Sequence, residues 1–221
     1  MCIQIVRFSR GAVLEAGVII FLSCYSCCSH FNHNSGNEFF QSISSLSDPV
    51  PQIRYNQNKK KILNMYDGFD YVEKCRNLIF MGPTGTGKTG LATAFLTHAI
   101  DRGYNGRFIA FAELVEQLYQ SVADHTEAHV IKKFAATDCL LIDELGYVEV
   151  EPVQVGLFFT LMSRRHQKKT TLITSNLGFS QWSSFLKNDH LTAALIDRLT
   201  ENSHVINMRN CVSLRSKLGT I

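Results

Sequence analysis

Strong charge of either sign is missing from this 221-residue chain: 22 Lys and Arg stand against 19 Asp and Glu, a formal net charge of +3. So mild a balance neither demands nor excludes a polyanionic partner, and any nucleic-acid contact must rest on local patches. No internal repeat is visible, which argues against solenoid and propeller architectures. The seven cysteines lack the spacing of a disulfide framework. Cys75, Cys139 and Cys211 are scattered singly and read as reduced core thiols, while Cys2, Cys24, Cys27 and Cys28 lie near the N-terminus. A membrane-length apolar run is missing as well. Residues 11–22 follow Arg7 and Arg10 in the manner of a signal peptide, but they are too short for a span, contain Glu15 and are followed by no small-x-small cleavage site. No membrane association is expected.

What is present is 45% hydrophobic residues, enough for one sizeable core, and the length favours one α/β domain plus an extension. Residues 1–57 form an atypical N-terminal segment and linker with no assigned fold. Within it, residues 31–57 are rich in Ser, Asn and Gln and include Asp48-Pro49-Val50-Pro51, the composition of a linker. Cys24, Cys27, Cys28, His30 and His33 are residue types that zinc accepts. They lack the interval of about a dozen residues that separates the ligand pairs of a finger, so an unstructured or apolar stretch is the favoured reading.

Residues 58–221 carry the regular pattern. Lys59-Lys60-Lys61 opens a stretch with Ile62, Leu63 and Met65, expected as a short helix. Four short apolar runs follow at Leu78–Met81, 108–111, 139–142 and 171–174, with a fifth at 204–208, each readable as a buried strand. Between them lie residues at helical spacing: Leu91, Phe95 and Ala99; Leu114, Val115, Leu118 and Val122; Val155, Phe158 and Met162; Leu191, Leu195 and Leu199. Strand and helix in alternation predict a parallel sheet covered on both faces.

The chemistry begins at the end of the first run, with Gly82-Pro83-Thr84-Gly85-Thr86-Gly87-Lys88-Thr89. Phosphate oxygens are held by inward backbone N–H groups, and glycines permit the close approach and the positive φ values that this requires. Lys88 brings a charge to the β- and γ-phosphates, Thr89 offers a hydroxyl to Mg²⁺, and the helix that starts there points its positive end at the phosphates. The rival reading is a flexible Gly/Thr turn; a strand before and an amphipathic helix after weigh against it. ATP and Mg²⁺ are the expected cofactors, and a substrate found in the cytosol makes a cytoplasmic location the expectation.

Asp143-Glu144 ends the third run. The carboxyl end of a parallel strand faces the ligand crevice, so Asp143 is placed to hold Mg²⁺ and Glu144 to act as general base toward water. A strand-to-turn acid pair at Gly146 is the bland alternative. Thr174-Ser175-Asn176 ends the next run; alone it reads as a turn of common turn residues. Only its place one strand after the acid pair positions the Asn176 amide to bond the γ-phosphate and orient water. Arg198, beside Asp197, is by itself most simply a helix-surface charge. Arg164 and Arg165 are rival transition-state cations or, with Lys168 and Lys169, part of a DNA-facing patch.

With these residues in place, residues 62–215 resemble the IstB/DnaC branch of the AAA+ ATPases, and most closely the IstB-like transposition helpers. The resemblance is carried by the glycine loop, by Leu140-Leu141-Ile142-Asp143-Glu144-Leu145-Gly146-Tyr147, by Phe158-Phe159 with Ser163-Arg164-Arg165, and by Thr174-Ser175-Asn176-Leu177. Phe179-Ser180-Gln181-Trp182, Leu195-Ile196-Asp197-Arg198-Leu199 and His204-Val205-Ile206-Asn207 complete it. It implies an α/β fold of the P-loop NTPase (AAA+) type: three α/β/α layers with a mainly parallel five-stranded sheet and no separate lid. It also implies that Asn176 is the sensor-1 residue, and that Arg198 is an arginine finger acting on ATP at an interface of a homo-oligomer. The partners implied are DNA and a transposase, or a replicative helicase as in the DnaC-like loaders. In this branch extra helix between the second and third strands lines a DNA channel, here residues 113–136 with Lys132 and Lys133 as phosphate contacts. A solvated helix face is the equal alternative for these lysines. Departures are Gly90 in place of a larger residue, Gly178 in place of a frequent proline, and residues 1–50, which do not resemble the family's N-terminal helical region.

The expected function is that of an ATP-hydrolysing, DNA-binding helper of a transposase in insertion-sequence transposition. The rivals are a helicase loader, a nucleotide-switched DNA-binding scaffold with little turnover and, more remotely, a metabolic kinase.

Overall fold

Strand β1 (Asn77–Met81) is buried at all five positions, as a strand covered on both faces must be. The computed structural model describes residues 52–211. The cysteine–histidine cluster and the apolar run at residues 11–22 lie outside the described residues. Around β1 stand β2 (Gly106–Ala110), β3 (Cys139–Leu145), β4 (Thr170–Ser175) and β5 (Ser203–Asn207), in the order β2-β3-β4-β1-β5. Every pairing is parallel, with Leu78 opposite both Leu172 and His204 and Phe108 opposite Leu141. The five-stranded parallel sheet expected from the alternation is therefore present.

Because successive strand residues point to opposite faces, the sheet feeds two separate cores. Leu78, Phe80, Leu141 and Leu172 face one core, which is covered by α3 (Lys88–Asp101) through Leu91, Phe95 and Ala99 and by α2 (Asp70–Glu73) through Tyr71 and Val72. Ile62, Met65 and Tyr66 of α1 (Gln52–Gly68) pack against the same core. On the other face, Ile79, Leu140, Ile142 and Ile173 meet α4 (Phe111–Ala123), α5 (Glu127–Ala135), α6 (Pro152–Arg165), α7 (Trp182–Leu186) and α8 (Asp189–Thr200). This is the three-layer α/β/α arrangement. Local signals set the helix starts. Glu151 and Gln154 form a reciprocal capping box before Pro152 at the head of α6, and Asn188 Oδ1 accepts from Leu191 N (2.9 Å) at the head of α8.

Two expectations need correction. The linker does not extend to residue 57: α1 begins at Gln52 and crosses the expected boundary at 57/58. Its residues are polar, yet residues 52–67 contain neither Gly nor Pro, so nothing interrupts the helix. Phe111 is not a strand residue but the first residue of α4. There it is fully buried and packs edge-on against Phe158, with ring centroids 5.2 Å apart. The extra helix implied between β2 and β3 is present: α4 and α5 fill that segment, separated by a turn at His125 with φ 52°.

Candidate nucleotide-binding site

The glycine loop joins β1 to α3 at the carboxyl end of the sheet. Its entrance is pinned on both sides: Gly82 N donates to Ser175 O (3.2 Å), and Met208 N, just past β5, donates to Met81 O (2.6 Å). A Cβ on Gly82 would stand 2.8 Å from the Met208 carbonyl carbon, so only glycine admits this approach. Gly85 and Gly87 lie at φ 83° and 85°, and Gly87 leads directly into α3. Lys88 is 7% exposed and its Nζ donates to Pro83 O (2.8 Å), while Thr86 Oγ1 donates to the same carbonyl (2.9 Å). The loop is thus closed on itself around a buried ammonium.

Asp143, 6% exposed, reaches this loop from β3. Its Oδ1 accepts from Thr89 Oγ1 (3.0 Å) and from Thr174 Oγ1 (2.5 Å). Thr174 in turn accepts from Glu144 N (3.0 Å). One hydrogen-bonded chain therefore connects the loop, β3 and β4. The β3–β4 register shifts between Ile142 and Leu145, and Glu144 sits at φ 60° in the left-handed region. A non-glycine residue there is uncommon, and here the kink leaves Glu144 exposed within β3 beside a buried Asp143. Asn176, just beyond β4, donates through Nδ2 to Tyr147 Oη and to Thr84 Oγ1 (3.5 Å), which ties it to the glycine loop.

The cations separate. Arg198 lies on α8, half-buried, with its guanidinium 4.7 Å from the Phe159 ring centroid and Nη1 donating to Ala194 O (3.0 Å). None of these partners belongs to the glycine loop. Arg165 is not a DNA-facing residue or a free transition-state cation. It is 1% exposed and donates to Phe134 O (2.8 Å), Thr137 O (2.7 Å), Thr170 O (2.5 Å) and Thr171 Oγ1 (3.0 Å). Burial pushes its pKa down to about 10, so it stays charged at neutral pH. Arg164, its neighbour in sequence, is exposed, as are Lys132 and Lys133 near the end of α5 and Lys168; Lys169 is ion-paired with Asp138.

This site belongs with a match along the sequence. A family model described as IstB-like ATP binding protein covers residues 47–219. The chain belongs to this family. Similar relatives of the IstB-like chain carry the names of ATP-binding proteins of insertion sequences: IS21 of Pseudomonas aeruginosa, 31% identical over 150 residues, and IS5376 of Geobacillus stearothermophilus, 32% identical over 139. The matches cover 68% and 63% of this chain and 57% and 55% of the relatives, so the chain spans little more than half of their length. In fold it is similar to the DnaC helicase loader (TM-score 0.60, 21% identity, 74% of this chain and 94% of that one). It is similar also to DnaI (TM-score 0.61, 21% identity, 77% and 93%). No helix among the described residues is long and apolar enough to cross a membrane.

The residues fit the group that the family name implies. A buried lysine inside a loop with two left-handed glycines suits a triphosphate, and the hydroxyl and carboxylate oxygens of Thr89 and Asp143 suit a hard cation such as Mg²⁺. Two contributors escape a reading of the sequence. Thr174 was legible only as a turn neighbour of Asn176, yet its hydroxyl links Asp143 to Glu144. Tyr147 was legible only as part of a motif, yet its hydroxyl accepts from Asn176. Position at the end of β4 is the one signal that could have pointed to Thr174.

Proposed function

We propose that this chain binds ATP with Mg²⁺, hydrolyses it, and uses the cycle as a DNA-binding helper of a transposase in insertion-sequence transposition. The observation that carries the hydrolytic part is the hydrogen-bonded chain from Thr89 through Asp143 and Thr174 to the backbone of Glu144. Glycine-loop amides and Lys88 hold the phosphate oxygens, and Thr89 and Asp143 hold the cation. Glu144 accepts a proton from the attacking water, and Asn176 orients that water. Mg²⁺, when bound, supplies charge neutralisation on the transferring phosphoryl group. The partners of Arg198 lie away from its own glycine loop, which supports its acting on ATP of a neighbouring copy in a homo-oligomer. The transposition part rests on family membership and on the insertion-sequence names of the relatives. A cytoplasmic site of action follows from that role.

The test is steady-state ATP hydrolysis with and without Mg²⁺ and duplex DNA. Glu144→Gln is expected to lower the rate by roughly 10²–10⁴-fold while ATP binding persists. A variant as fast as the wild type removes Glu144 from the chemistry, and a wild type without turnover leaves the nucleotide-switched scaffold as the better reading. Co-purification with an insertion-sequence transposase, but not with a replicative helicase, separates the two partner readings.

A further inference from the structure

The Lys59-Lys60-Lys61 run plays no part in the nucleotide site, and the fold gives two of its residues a place. Lys60 and Lys61 of α1, with Asn64 and Met65, form one wall of a cavity of about 540 Å³. The other wall holds Arg76, at the entrance to β1, and His204 of β5. Arg76 Nη1 lies 3.2 Å from His204 Nε2, a contact that holds the guanidinium at the groove. The one carboxylate of the lining, Asp70, is ion-paired with Lys74 (2.6 Å), which offsets its charge. The groove is therefore positive on balance. In keeping with that, burial, Arg76 and Lys61 together hold His204 below the ordinary histidine range, against the pull of Asp70.

Position decides what such a groove can serve. Arg76 precedes β1, and His204 pairs with Leu78 near its start, whereas the glycine loop follows the far end of the same strand. The Arg76–His204 wall of the groove and the glycine loop therefore lie at opposite ends of β1. Lys61 and Met65 also line a second cavity of about 120 Å³ with Val205, Ile206 and Asn207, so the depression continues beside the edge strand β5. Three cationic side chains, Lys60, Lys61 and Arg76, spread around one depression suit a row of phosphates better than a single small anion. Lysine and arginine contacts to a phosphodiester backbone supply affinity without reading sequence.

We infer that the groove between α1 and the β1–β5 edge, formed by Lys60, Lys61, Arg76 and His204, is a binding site for the phosphate backbone of DNA. This rests on the DNA-binding reading above and gives it a location, distinct from Lys132, Lys133 and Arg164. The experiment is fluorescence anisotropy of the full chain with a labelled duplex and with one of its single strands, across a salt series. Lys60→Ala/Lys61→Ala changes two exposed side chains, and Lys60→Arg/Lys61→Arg keeps the charge. The Ala pair is expected to weaken duplex binding on the order of tenfold and to flatten the log–log salt slope by about two, one for each phosphate left without its lysine, with the Arg pair close to wild type. A wild type that binds DNA while the Ala pair binds as tightly and with the same slope overturns this site but leaves the DNA reading standing. Weakening that the Arg pair fails to restore also overturns it, because charge is then not the cause. A wild type that binds neither duplex nor single strand sinks both. Preference for the single strand over the duplex keeps the site and changes which form of DNA it serves.

Discussion

Thr174 and Thr89 both donate to Asp143 Oδ1, but only Thr174 also accepts from the backbone of Glu144. Thr174→Val keeps the shape and removes the link, leaving the Glu144 N–H and one carboxylate lone pair unpaired. A hydrogen bond to a charged group contributes about 1.5–3 kcal/mol, and urea unfolding should show a decrease of that order together with slower ATP turnover. Unchanged stability and turnover would mean that the left-handed Glu144 turn holds without it. The adjacent arginines give a sharper contrast. Arg165→Ala removes a donor from the carbonyls of Phe134, Thr137 and Thr170, of which Phe134 O keeps Thr137 N (3.4 Å), and is expected to cost about 3 kcal/mol. Arg164→Ala, on the exposed side of the same helix, should stay within about 0.5 kcal/mol. Equal effects would contradict the structural role given to Arg165. The sequence could not separate these two neighbours, since both are simply basic residues near a helix end. Burial separates them.

At the scale of elements, α1 and Phe69, the residue that follows it, dock on α3 through rings. Tyr66 stacks on His98 with centroids 4.1 Å apart and planes at 22°, and Phe69 meets His98 edge-on at 5.1 Å. Burial lowers the His98 pKa, Arg102 lowers it further, and Asp67 opposes both. A histidine whose folded value is depressed favours the folded state above its unfolded value of about 6.5, and this advantage shrinks as acidity rises until both states are protonated. Limited proteolysis of α1 should therefore be slower near pH 7 than near about pH 5.5. Equal cleavage at both, after correction for the protease's own pH dependence, would detach His98 from α1 docking. Helix α1 also shows where composition misleads. Ser, Asn and Gln in residues 31–57 suggested a linker, but the absence of Gly and Pro from residues 52–67 was the better guide.

For the molecule as a whole, the open question at Arg198 is one of assembly. Within its own chain the guanidinium rests over Phe159 and bonds Ala194 O, away from the glycine loop. If it serves a neighbour, Arg198→Ala and Lys88→Ala subunits are each inactive alone. Mixed equally, they regain on the order of a quarter of wild-type turnover, the share of interfaces that pair an intact loop with an intact arginine in a head-to-tail assembly. A mixture that stays inactive while still co-assembling removes Arg198 from that role. The same assay run against protein concentration reports whether turnover depends on association.

The sequence by itself determined the parallel α/β sheet, the glycine loop and the acid pair, because each is a local pattern. Apolar runs alternate with helical spacing, glycines stand where φ must be positive, and carboxylates stand where a strand ends. It also carried the family, through motifs in a fixed order. Only the tertiary structure decided which residues meet across that order. It joined Thr174 to Asp143 and Glu144, buried Arg165 beside an exposed Arg164, and set Lys60 and Lys61 opposite Arg76 and His204. The physical reason is the same in each case: hydrogen bonding, desolvation and summed charge depend on neighbours distant in sequence, and spacing along the chain does not encode them.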